Sequence, residues 1–168
     1  MTPALLRRGD LRLVAPPEHE TAAPRLDLGL GLGLALAVDR TEGRAGSFFE
    51  FALVHPCTQL ATSADGVVPG GLAGTPFAVV VQTDLRGVAW VHGQALKRVG
   101  HLTEQTLATI SGLVESGCQG SPEGIRVGVL LAGPCDRRWP FKVDEGTALD
   151  RLTSDCTREL LAATPGPR

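Results

Sequence analysis

Short apolar runs that end at proline or glycine fill the first two thirds of this sequence, and they limit what the chain can fold into. Runs of this length, rich in branched or alternating side chains, are typical of β-strands, whereas helices need ten or more residues without interruption. The segments predicted as strands are 11–14, 28–38, 48–54, 76–82 and 88–91. The last two are joined by a predicted turn at 84–87, as in a hairpin.

One helical pattern follows these strands. Thr103 is a good N-cap residue, and Leu107, Ile110 and Val114 recur at helical spacing, so an amphipathic helix is expected over residues 103–116. Many short strands followed by one helix predict a mainly β (β+α) fold, namely a small barrel or half-barrel with a terminal helix.

The sequence changes in character after Gly117. A linker-like stretch, a strand and an amphipathic helix are predicted at 118–124, 125–131 and 147–163. Thr147 and Asp150 have the spacing of a capping box at the start of that helix. We therefore predict a barrel domain at 1–117 and a C-terminal extension of unknown role at 118–168, in which no residue suggests chemistry.

Charge and cysteine usage exclude several classes of protein. The chain has 16 basic and 18 acidic residues and a formal net charge of -2, so it lacks the basic field of a dedicated duplex-DNA binder. Its four cysteines are widely spaced without a CxxC pair, and no zinc pattern is complete. The longest apolar run is too short for a membrane span, and no secretory leader is indicated. We expect a cytoplasmic protein that binds no metal or cofactor and does not associate with a membrane.

Two short motifs have simple structural explanations. Gly29, Gly31 and Gly33 superficially resemble a dinucleotide fingerprint, but such a fingerprint needs a strand before it and a helix after it, and here more strand-like sequence follows. The second motif follows a predicted strand, where Pro56 is followed by Cys57 and Thr58. Spacing alone favours a turn in which Thr58 satisfies backbone groups. A nucleophilic pair of Cys57 with His55 is a less favoured alternative.

Five segments of the chain occur in the order found in a known family. They are Arg-Gly-Asp-Leu with Leu-Val (8–11 and 13–14), Leu-Val-His-Pro-Cys-Thr (53–58), Thr-Pro-Phe-Ala-Val-Val-Val (75–81), Gly-Val-Ala-Trp-Val-His-Gly-Gln (87–94) and Gly-His-Leu-Thr (100–103). Together, over residues 8 to about 117, they resemble the MazF/PemK toxins of bacterial toxin–antitoxin pairs. The resemblance implies an SH3-like small barrel of MazF/PemK/CcdB type that forms a homodimer.

The same resemblance implies a sequence-specific, metal-independent endoribonuclease that cleaves single-stranded RNA, including mRNA, and is neutralised by a cognate antitoxin. In this hydrolase chemistry the ribose 2′-OH attacks the neighbouring phosphate. The reaction needs a proton acceptor, an acid for the leaving oxygen and positive charge on the phosphorane.

The resemblance also suggests which residues act. Thr58 matches the family's catalytic Thr, and Arg25 is the best match for its Arg, because it precedes the second apolar run. Arginine suits charge stabilisation better than proton transfer. His55 is a further candidate for the proton transfer.

The candidate RNA-binding residues are Gln94, Arg86, Lys97 and Arg98. A solvated surface role is an equal alternative for each of them.

Two other interpretations stay open. Gly93 stands where the family has an acid before the Gln, and the extension has no counterpart in the family, so a catalytically degenerate member is one alternative. A gyrase-binding toxin on the same fold is the other. Arg25 within reach of Thr58 would favour the enzyme, and a distant Arg25 the degenerate member.

Overall fold

The structure is a computed structural model that describes residues 7–14, 33–43, 46–90, 95–147 and 149–150. Within these ranges, side chains are described except at 13–14, 33–43, 46–49, 86–90 and 95–97.

The described strands form one antiparallel sheet of seven strands. They are β1 (Asp10–Val14), β2 (Gly33–Gly43), β3 (Gly46–His55), β4 (Asp65–Val68), β5 (Val79–Trp90), β6 (Ala95–His101) and β7 (Arg126–Val127). Their hydrogen-bonded order is β6-β1-β2-β3-β5-β4-β7. In the described part of the chain β6 and β7 do not pair with each other, so the sheet is open and not a closed barrel. The predicted mixture of strands and helices is confirmed at this coarser level.

Helices cover both faces of the sheet. They are a 3-10 turn η1 (Thr58–Leu60), a single turn α1 (Gly70–Ala73), α2 (Glu104–Ser116) and α3 (helical at 139–147 and at 149–150, with residue 148 outside the described part). The hydroxyl oxygen of Thr103 accepts a hydrogen bond from the backbone N–H of Thr106 at 3.2 Å, and Gly117 ends α2 in a left-handed conformation. The predicted helix at 103–116 is therefore confirmed. No described helix is long and apolar enough to cross a membrane.

The main core lies between α2 and one face of the sheet. Ala52 and Val54 of β3 point into it, because alternate residues of a strand face the same side. Other buried members come from β1, β4, β5, α2 and the extension: Leu11, Val68, Val79, Val81, Ile110, Leu113, Ile125 and Val127. Gly66 sits beneath Ile110, where a Cβ atom would overlap the isoleucine side chain. The extension thus contributes to the same core as the rest of the chain.

The opposite face of the sheet packs against α3 and the residues that flank it. Phe51 and Leu53 of β3 form a small apolar cluster with Leu149, a helical residue of α3. Val67 and Val80 form another apolar cluster with Ala61.

Strand β5 corrects one prediction. The hairpin turn expected at 84–87 is wrong, because β5 runs without interruption from Val79 to Trp90. Strand β3 is long enough to pair with β5 on both sides of this point, with Phe51 opposite Gly87, and an irregularity between Ala52 and Val54 adjusts the register. Pairing with a long neighbour overrides the turn preference of the sequence.

The extension corrects two further predictions. Thr147 does not cap the start of a helix, because it lies within α3, with helical residues on both sides of it, and its hydroxyl donates to the carbonyl of Val143 at 2.9 Å. The helical pattern missed the first part of α3, since no residue of 139–147 is fully buried and the apolar periodicity is weak there. Of the helix predicted at 147–163, the described residues 147, 149 and 150 are helical, and residues 151–163 lie outside the described part. The predicted strand at 125–131 shortens to Arg126–Val127. Beyond it, the guanidinium of Arg138 donates hydrogen bonds to the carbonyls of Val129 and Leu130.

Candidate functional site

Thr58 lies in a cleft that follows the end of β3. Pro56 ends the strand, and η1 begins directly after Cys57, whose carbonyl accepts a hydrogen bond from the N–H of Leu60 at 3.0 Å. The cleft has a volume of about 490 Å³, which is within the usual range of small-molecule sites. Its polar lining comprises Thr58, Gln59, Arg126, Asp136, Arg137 and Arg138.

Arg138 holds the walls of the cleft together. It is 9% exposed, and its guanidinium donates to the carbonyls of Ala61 at 3.0 Å, Val129 at 2.7 Å and Leu130 at 2.8 Å. These bonds join η1 to the segment after β7. Gly128 permits the same approach, because a Cβ atom there would overlap the backbone of Ala61. Arg138 is therefore a structural residue whose donors are already used.

Asp136 is committed to the same framework. One carboxylate oxygen accepts from Arg138 Nε at 2.9 Å, and the other accepts from the N–H of Ala132 at 3.1 Å. The hydrogen bonds from the Arg138 side chain, and then those from the backbone, hold the pKa of Asp136 well below its usual range. This carboxylate stays ionised and is a poor proton acceptor near neutral pH.

Arg126 and Arg137 differ from Arg138 in having donors to spare. Both are exposed and both line the cleft. Neither makes a hydrogen bond or an ion pair with another side chain in the described ranges. The cleft therefore presents two positive charges that are not balanced by Asp136, whose charge is matched by Arg138.

His55 lies away from this cleft, beneath α3. Its ring packs edge-on against Phe141 with centroids 4.9 Å apart, and neither ring nitrogen has a hydrogen-bond partner among the described groups. Burial, and then the nearby positive charge of Lys142, lower the pKa of His55 to about 4. The side chain is neutral at pH 7, and the structure does not bring it together with Thr58 in the cleft lining.

A polar cluster surrounds the inner face of α3. Lys142 Nζ donates to Asp65 Oδ1 at 2.6 Å and to Asp84 Oδ1 at 3.0 Å, and Gln82 Nε2 donates to Glu145 at 2.9 Å. Desolvation raises the pKa of Asp65 above its usual value, although Lys142 opposes this shift.

The hydroxyl and the N–H of Thr62 also donate to Asp65. Among the described residues, no group of three or more His, Cys, Asp and Glu side chains is arranged to hold a metal ion.

The predicted RNA-binding residues are only partly described. Arg98 Nε lies 2.9 Å from Asp10 Oδ1, so its charge is balanced by a buried carboxylate that Arg12 and His101 also contact. Arg86 lies on β5 and Lys97 on β6, with side chains outside the described part. Gln94 and Arg25 fall outside the described residues altogether, so the proximity of Arg25 to Thr58 stays a prediction.

Sequence reasoning missed the three arginines of the cleft. The signal that could have found two of them is the doublet Arg137-Arg138, which follows Asp136 just before a helix. Asp136 accepts from the N–H of Arg138 at 3.0 Å, as an N-terminal capping residue does. Arg126 has no comparable signal, because a strand of two residues is too short to show an alternating pattern in the sequence.

Comparison with models of known protein families gives no match to this chain. Comparison with curated protein sequences also gives no match. The cleft is therefore interpreted from its own chemistry.

Proposed function

We propose that this chain cleaves single-stranded RNA at the Thr58 cleft, as a cytoplasmic toxin of MazF/PemK type with the corresponding SH3-like fold. A cognate antitoxin and a second copy of the chain are its proposed partners. One observation carries the proposal: Thr58 shares a cleft with Arg126 and Arg137, whose guanidinium groups are exposed and unengaged by the described residues.

The chemistry of this cleft suits a phosphodiester. Attack of a ribose 2′-OH on phosphorus adds negative charge to the oxygens that do not bridge the nucleotides, and arginines stabilise that charge with paired hydrogen bonds. The hydroxyl of Thr58 is a donor for one of the same oxygens. Thr58 and the two arginines therefore supply binding and charge stabilisation.

The described lining offers no proton acceptor suited to neutral pH. Asp136 is held ionised by Arg138, and His55 lies under α3. This observation favours a second candidate function, in which the chain binds RNA at the cleft without cutting it. The second candidate corresponds to the degenerate member considered from the sequence.

Cleavage of a mixed-sequence single-stranded RNA in EDTA distinguishes the two functions. We expect the natural protein to cut the RNA, and Thr58→Ala to lose about 10²- to 10³-fold in rate, because an aligned donor to a developing charge has an effect of this order. Thr58→Ser retains the hydroxyl and should keep most of the activity. Thr109→Ala, on α2 away from the cleft, is the matched control.

Two other outcomes would change the assignment. Intact RNA together with tight binding of the same RNA would replace the enzyme with the binding protein. Intact RNA without binding would exclude both candidate functions.

A further inference from the structure

We infer that the segment after Gly117 carries the substrate-binding cations of this protein, with Arg126 and Arg137 holding the phosphates of single-stranded RNA. The choice of RNA as the ligand rests on the proposed function. The positions of the two arginines rest on the geometry of the cleft alone.

Because side chains alternate between the two faces of a strand, the position of Arg126 on β7 directs its side chain towards the cleft. Ile125 and Val127 on either side of it are buried in the main core with α2. A residue between two inward-facing neighbours points to the opposite side of the sheet. Backbone pairing with Val67 of β4 fixes Arg126 in that position, and its exposed side chain lines the cleft.

Arg137 is presented by the anchoring of its neighbours. Asp136 and Arg138 bind each other, and Arg138 reaches inward to the carbonyl of Ala61. Arg137 lies between them, is exposed, and lines the same cleft. Because both neighbours of Arg137 are anchored, its backbone loses little conformational entropy when a ligand binds. Preorganisation of this kind strengthens binding.

The charges around the cleft select a polyanion. The opposite charges of Asp136 and Arg138 cancel, so Arg126 and Arg137 leave two net positive charges beside Thr58. The whole chain has a net charge of -2, so its overall field does not attract nucleic acid and attraction has to come from a local site such as this cleft. A cleft of about 490 Å³ has room for one unstacked nucleotide of a single strand, whereas a base paired in a duplex must first be unstacked to enter it.

Binding of a fluorescent 2′-O-methyl single-stranded RNA, followed by anisotropy in EDTA, tests the inference without cleavage. We expect Arg126→Gln and Arg137→Gln each to weaken binding about tenfold at low salt. Each variant should also reduce the slope of log affinity against log salt by about 0.7, since each phosphate contact on a single strand releases that share of a counterion. Arg8→Gln removes the same charge from an exposed site outside the cleft lining and should leave the slope unchanged.

Because both side chains are exposed, the variants should keep the thermal midpoint of the natural protein. An RNA duplex of the same sequence should bind at least tenfold more weakly than the single strand.

Failure of this inference differs from failure of the proposed function. Unchanged slopes in both glutamine variants, while the natural protein still cuts RNA and Thr58→Ala does not, would overturn the inference and leave a ribonuclease centred on Thr58 that does not use these two cations. Arginine-dependent binding without cleavage would support the inference and exclude the ribonuclease. A natural protein that does not bind the single strand, or binds the duplex equally well, would overturn the inference.

Discussion

His55 is a buried imidazole whose two ring nitrogens lack hydrogen-bond partners in the described part of the chain. A buried polar group without a partner costs about 1 to 3 kcal/mol. Its edge-on contact with Phe141 and its neutrality at pH 7 keep that cost from rising further, because an imidazolium there would also face Lys142.

The pKa of His55 makes the free energy of unfolding depend on pH. The pKa is about 4 in the folded chain and 6.5 for the ordinary side chain, so between these values the unfolded chain binds a proton that the folded chain does not. The stability present above pH 6.5 is lost as the pH falls towards 4, by about 3 kcal/mol in total.

We expect His55→Leu to remove this part of the acid dependence and to be no less stable at pH 7, as measured by urea unfolding from pH 7.5 to 4. His101→Gln, at a half-exposed histidine, should retain it. A His55→Leu protein with the full natural loss of stability towards pH 4 would contradict the pKa assignment.

The sequence could locate Thr58 but not the arginines that share its cleft. Thr58 follows a strand-ending proline, which is a local signal. Arg126 and Arg137 reach the cleft through the pairing of β7 with β4 and through the bonds of Arg138, which join residues 77 apart in the chain. Contacts of this kind leave no periodic pattern in the sequence.

The part of α3 at 139–147 is held to the sheet mainly by polar contacts. None of these residues is fully buried, while Lys142 is joined to Asp65 and Asp84, and Glu145 to Gln82. A helix attached in this way depends on a few charged groups more than on buried apolar area.

Removing the central charge of this attachment should be strongly destabilising. Lys142→Met leaves Asp65 buried without its cation, and we expect a loss of about 3 to 5 kcal/mol in the free energy of unfolding by urea. Asp84→Asn removes only the more exposed partner and should cost less than about 1 kcal/mol. The double variant Asp65→Asn with Lys142→Met should be more stable than Lys142→Met alone. Equal effects of Lys142→Met and Asp84→Asn would show that the buried ion pair is unimportant.

The contrast between α2 and α3 explains which elements the sequence could predict. Helix α2 buries Ile110 and Leu113 on one side and has a threonine cap, so its pattern is visible. The part of α3 at 139–147 has no such stripe, and the buried Leu149 lies further along the helix. The length of β5 could not be predicted from its own residues either, because it depends on pairing with β3.

At the scale of the whole molecule, residues on the two sides of residue 117 pack against each other. Ile125 and Val127 are buried in the main core, β7 pairs with β4, and Leu149 closes the second apolar cluster. The loss of these three buried side chains alone would remove about 5 to 9 kcal/mol of hydrophobic stabilisation, which is comparable with the net stability of a typical domain.

A chain ending at residue 117 tests the predicted domain boundary. We expect it to show no cooperative thermal transition by circular dichroism, whereas the full chain should unfold cooperatively. Cooperative unfolding of the shorter chain would support the barrel domain at 1–117 as an independent unit. The sequence suggested this boundary because its composition changes there, but composition does not show which strands pair across it.

The bond from Arg138 to Ala61 also has a consequence for the order of events during synthesis. Thr58 leaves the ribosome about 80 residues before Arg138 does, which is about 4 to 16 s at ordinary rates of translation. Until Arg138 arrives, the cleft has one wall and neither Arg126 nor Arg137 is fixed beside Thr58. A nascent chain that has not yet reached Arg138, or one terminated before it, therefore lacks the complete cleft and cannot carry out its chemistry.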